Sequence, residues 1–180
     1  SLRSFGTLRA LDKDKGLVEA VISTGNIARD QMIIDPDGWD FDNYRRNPVV
    51  LWGHDDGAMP LAKTVDIQPS PNELRATAEF DLEDEQAQRV MGKIARGFVN
   101  STSVRWLPKK WENRMLATEK GEREVLVFTE HELLEWSFVT IPADPKALIM
   151  RADGSPLRLA DYLPPEERSE ERTPIAAHGT

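Results

Sequence analysis

HELLEWSFVTIP, residues 131–142, is the stretch on which the reading of this chain turns. It is apolar on both faces, which marks a strand with neighbours on each side, so it is expected at the centre of a sheet. One residue breaks the pattern. Glu135 sits in mid-run, and a carboxylate buried there without a partner is costly, so a cation or hydrogen-bond donors should lie beside it. A structural pair with one of the arginines and a catalytic role both satisfy that demand.

Working outward, NPVVLWGHDDGAMPLAKTVDI (residues 47–67) supplies a second apolar strand that ends in Gly53 and His54, followed by another strand-like run. A titratable imidazole at a strand tip is either a hydrogen-bonded structural histidine or a base waiting for a nucleophile. ELRATAEF (73–80) alternates with period two, and SFGTLRALD with LVEAVIST reads as a hairpin around the turn at 12–16. Trp39, Phe41 and Tyr44 are placed to pack a short helix against the core. The spacing of Ala87, Val90, Met91 and Ile94 predicts an amphipathic helix capped by Asp81, with Asp84 three residues on, and closed by Gly97. Strands are expected at 99–107 and 122–128, with a charged loop between them. The sum is a mainly β, α+β chain: a small closed or strongly curved barrel with flanking helices.

Within GFVNSTSVRW (97–106), strand geometry sends Ser101, Ser103 and Arg105 to one face and Thr102, Val104 and Trp106 to the other. The apolar pair faces the core, which leaves Ser103 on a polar face beside a cation. A serine attacks a carbonyl only when a base takes its proton and donors stabilise the oxyanion. His54 is placed for the first task; Arg105 and neighbouring backbone amides such as that of Val104 are placed for the second. A third group would orient the imidazole, and Glu135 is the candidate, with His131 on the same strand as the runner-up. A polar edge strand facing water is the competing reading of this segment. No Gly-x-Ser-x-Gly elbow is present, which argues against an α/β-hydrolase.

Taken together, NPVVLWGHD, the SVRW that follows a helix and Gly-Phe-Val, and LLEWSFVTIPADPKAL resemble the signatures of tailed-phage prohead maturation proteases, serine peptidases related in fold to the herpesvirus assembly proteases. The closing motif matches at Leu133, Glu135, Ser137, Val139, Thr140, Pro142, Ala143, Pro145 and Ala147. Arg105 stands where the family has a small residue, Trp106 replaces Phe, and Ser101 replaces a frequent Gly. The resemblance implies a herpesvirus-protease-like barrel with Ser103 as nucleophile, His54 as general base and Glu135 or His131 as third member. It implies an endopeptidase that cleaves the scaffolding segment of the major capsid protein, the internal scaffold and itself, in the host cytoplasm inside the assembling procapsid. A catalytically inactive assembly module with the same fold is the alternative.

Composition sets outer limits. One domain is expected over 1–150. Residues 151–180, rich in Pro, Arg and Glu, read as a docking segment and flexible tail. The net charge of −8 disfavours nucleic acid and anionic membranes as partners. No segment approaches the length of a membrane span, and no signal peptide is visible. The chain opens on Ser1 instead of Met, as a trimmed chain would. With no cysteine, disulfides and thiol catalysis are excluded, and His54, His131 and His178 lack ligand spacing, so neither metal nor cofactor is expected. Homo-oligomerisation is compatible with all of this.

Overall fold

The apolar run at 131–142 is the second half of a much longer strand. The computed structural model of the chain describes residues 11–12, 14–28, 32–118 and 121–143. In chain order its elements are β1 (Leu11–Asp12), β2 (Leu17–Thr24), β3 (Met32–Ile34), β4 (Trp39–Asp40), β5 (Val49–Trp52), β6 (Ala62–Pro69), β7 (Glu73–Phe80), α1 (Glu85–Ala95), β8 (Ser101–Thr118) and β9 (Gly121–Val139). The expected strand before β1 begins, the end of the closing motif from 144 and the tail at 151–180 lie outside the described residues.

β9 organises everything. β3, β4 and β5 line one of its edges in succession, all parallel, and β8 runs antiparallel along the other. From β5 the sheet continues through β6, β7 and β2 to β1. At the bulge where the register of β2 with β7 shifts between Val21 and Ser23, the Thr102 hydroxyl of β8 donates to the Val21 carbonyl at 2.7 Å. That bond brings the first residues of β8 onto β2, and the sheet comes close to closing on itself as a barrel.

The core lies inside this curl. Alternation in β7 buries Leu74, Ala76, Ala78 and Phe80, as its period-two pattern dictates, and Val18, Ala20 and Ile22 of β2 face them. Trp136 and Phe138 of β9 fill the centre. α1 adds Ala87, Val90 and Ile94 from one stripe. Its cap is Asp84, whose Oδ1 accepts from Ala87 N at 2.7 Å, one turn later than the Asp81 expectation; Asp81 instead caps the preceding turn through Glu83 N. Buried polar groups are chained: Trp136 Nε1 donates to Thr64 Oγ1 (2.8 Å), which meets the Tyr44 hydroxyl (2.5 Å), which donates to the Val49 carbonyl (3.1 Å).

Two further expectations give way. The charged loop expected between 107 and 122 is strand over 108–118: β8 and β9 extend together as a two-stranded arm beyond the barrel. Most of β8 along this arm is open to water, so the segment carries no apolar alternation to betray it. The helix expected around Trp39–Tyr44 is two 3-10 turns, Pro36–Gly38 and Tyr44–Arg46, flanking β4. Backbone pairing of Trp39 and Asp40 with β9 prevails over helix there.

Candidate active site

β5 ends in two consecutive residues in the left-handed region, Gly53 and His54, both at φ 63. Glycine takes that conformation freely; histidine does so at a cost, and persists only where its surroundings fix it. Three contacts do so. The His54 amide donates to Ser137 Oγ at 3.0 Å, its carbonyl accepts from Arg105 Nη2, and its ring Nδ1 lies 2.6 Å from Glu135 Oε1. A carboxylate beside a guanidinium accepts, so Nδ1 is the donor in this contact, and in a neutral ring the lone pair falls on Nε2. The imidazole remains about one-third exposed.

Glu135 is 4% exposed. Its burial is offset by donors from three sides: His54, the Ser137 hydroxyl to Oε2 at 2.7 Å, and Arg105 Nε at 3.3 Å. Arg105 in turn binds Asp56 at 2.7 Å. That bond to Asp56, then the charge of Glu135, holds the guanidinium firmly cationic, and the same bond keeps the Asp56 carboxyl below its ordinary range. All three nitrogens of Arg105 are engaged in fixing the loop and the carboxylate. Val104 is half-buried against the core on the opposite face and pairs with Trp136 across β8 and β9.

Strand register assembles these groups. Arg105 pairs with Glu135 and Ser103 with Ser137 across β8 and β9, so all four side chains share one face. Leu51 of β5 pairs with Ser137 from the other side, which brings the β5 exit to the same row. Ser103, 7% exposed, is thus the immediate neighbour of the serine that touches both His54 and Glu135. Among the described residues, neither the Ser103 hydroxyl nor His54 Nε2 has a hydrogen-bond partner, so both are free for a third party. Ser103 also lines a small cleft of about 50 Å³ with Ile22, Thr24, Met32, Val104 and Trp106.

His131 is placed elsewhere. The expectation that it shares a strand face with Glu135 fails because Leu134 is an extra residue in β9: Arg105 pairs with Glu135, but the next residue, Trp106, pairs with Leu133. The bulge turns His131 to the core side. It is fully buried between Trp39 (4.2 Å, edge-on) and Trp106 (5.8 Å), and among the described residues neither ring nitrogen has a hydrogen-bond partner. Burial pushes it down to about 4, slightly opposed by the charge of Asp35.

Ser137 is the site residue that the reading of side-chain chemistry passed over, although its spacing of two from Glu135 on a strand puts both on one face. Among the described residues no group of three or more His, Asp or Glu side chains is placed to hold a metal ion, and no helix is long and apolar enough to cross a membrane. Comparison of the chain with family models, with curated proteins and with solved structures gives no match.

Proposed function

We propose that this chain is a serine endopeptidase of phage procapsid maturation with a herpesvirus-protease-like barrel. The observation that carries the reading is the clamped His54–Glu135 pair at 2.6 Å, bonded on both members to Ser137, which pairs with Ser103 across β8 and β9. In this reading His54 Nε2 takes the Ser103 proton as Oγ attacks the scissile carbonyl, then returns it to the leaving amine. Water hydrolyses the acyl-enzyme by the same proton route. Glu135 orients the ring and stabilises its charged form, Ser137 and Arg105 position Glu135 and the His54 backbone, and a backbone amide such as that of Val104 serves the oxyanion. The substrates are the scaffolding segment of the capsid protein, the internal scaffold and the chain itself, met inside the assembling procapsid in the host cytoplasm.

An inactive assembly module is the second reading, favoured by the unmade bond between Ser103 and His54 and by bulky Arg105. Intact mass followed over time, for the chain alone and with capsid protein carrying its scaffolding segment, separates the two. The peptidase reading expects cleavage by the wild type and none by Ser103→Ala. Equal cleavage by both, or none by either when capsid protein is present, contradicts it.

A further inference from the structure

Among the described residues, the arm formed by β8 and β9 carries an unpaired edge. Pro108 and the register shifts between Pro108 and Trp111 interrupt the first part of the β8 edge, which is how natural sheets block unwanted pairing. Beyond them, Trp111 to Thr118 run in unbroken register with β9. Among the described residues no strand pairs with the outer side of this segment. It is not a polar edge either: Trp111 is 59% exposed and Met115 60%.

Its sequence, Trp-Glu-Asn-Arg-Met over 111–115, is complementary to itself when reversed about Asn113. Alternation places Trp111, Asn113 and Met115 on one face and Glu112 and Arg114 on the other. Against an antiparallel copy centred on Asn113, Trp111 meets Met115, Glu112 meets Arg114, and Asn113 meets its own counterpart. Two-fold symmetry makes each unlike pair occur twice. The Glu112–Arg114 ion pair already present within one chain becomes half of an alternating square of four charges. Arg114 also lies 4.0 Å from Asp35, which leaves its fork oriented along the same side of the arm.

We propose that residues 111–115 of β8 pair antiparallel with the same residues of a second copy, joining two chains in a weak symmetric dimer through a continuous sheet. The inference is independent of the peptidase reading. Sedimentation equilibrium over a concentration series tests it with the wild type, Glu112→Arg, Arg114→Glu, an equimolar mixture of those two, and the double exchange. The wild type should dimerise with concentration. Each single variant faces two like-charge pairs and should dimerise at least about tenfold more weakly. The mixture and the double exchange restore both pairs and should recover the dimer, while Trp111→Ser should weaken it. Circular dichroism identical to wild type establishes that the variants fold. A wild type that stays monomeric throughout, single variants that dimerise as it does, or a mixture that fails to recover would each overturn the proposal.

Discussion

β9 carries two histidine environments little more than a turn of the strand apart, and they are opposites. His54, brought to Glu135 by the β5 exit, is partly exposed, held in an unfavourable backbone conformation, and bonded at its amide, carbonyl and ring. His131 is wholly buried in ordinary strand geometry, flanked by Trp39 and Trp106, with neither nitrogen bonded among the described residues. The first spends its surroundings on fixing one ring orientation and leaving one nitrogen open. The second spends them on volume. Burial alone therefore does not distinguish a clamped imidazole from a packed one; what distinguishes them is which atoms the neighbours hold.

The contrast breaks most visibly at the first site. His54→Ala, or Glu135→Gln with its shape kept and its charge removed, should lower the cleavage rate by about 10³-fold or more. His131→Phe should leave it within a few-fold; initial rates on a capsid-derived peptide report both. Stability separates the sites next. Arg105→Ala strands a buried carboxylate and should cost on the order of 3 kcal/mol in urea unfolding, with Arg105→Lys recovering only part, since a single ammonium cannot hold Glu135, Asp56 and the His54 carbonyl together.

His131 supplies the pH dependence. Its folded value of about 4 lies below the ordinary 6.5, so between the two the unfolded chain binds a proton that the folded chain refuses. The stability it contributes is complete above about 6.5 and falls as pH drops towards about 4. The loss is on the order of 2–3 kcal/mol. Urea midpoints across that window should show the slope, and His131→Phe should flatten it. Gly38→Ala probes the same pocket: an added Cβ would lie 2.2 Å from the Thr129 carbonyl and 2.8 Å from His131 Cε1, for a cost of about 2 kcal/mol. The smallest effect is expected at Gly53→Ala, where nothing lies within 4 Å of the new Cβ and only the φ of 63 resists, at about 1 kcal/mol by thermal melt.

The parts legible in the sequence are those where burial imposed a period. β7 alternates because one face packs on the core, and β9 reads as central because it has neighbours on both edges. The demand of Glu135 for donors was legible from its position in an apolar run, and the structure meets it three times over. What escaped has physical reasons. The solvated arm needs no hydrophobic period, so charged strand looked like loop. A single extra residue at Leu134 reverses the side chains beyond it as far as the next register shift, and nothing in the local composition marks a bulge. The left-handed backbone of His54 is fixed by Ser137, Glu135 and Arg105, contacts from residues more than 50 positions away, which local propensity cannot encode.

The peptidase proposal requires that Ser103, His54 and Glu135 act as one unit. Labelling with a fluorophosphonate, read by peptide mass spectrometry, tests it most directly, because the reagent phosphonylates a hydroxyl only where a base activates it. The expected result is an adduct on Ser103 of the wild type, none on Ser103→Ala, and labelling slowed by orders of magnitude in His54→Ala and Glu135→Gln. An adduct on another serine, or labelling of Ser103 that is indifferent to His54, would contradict it.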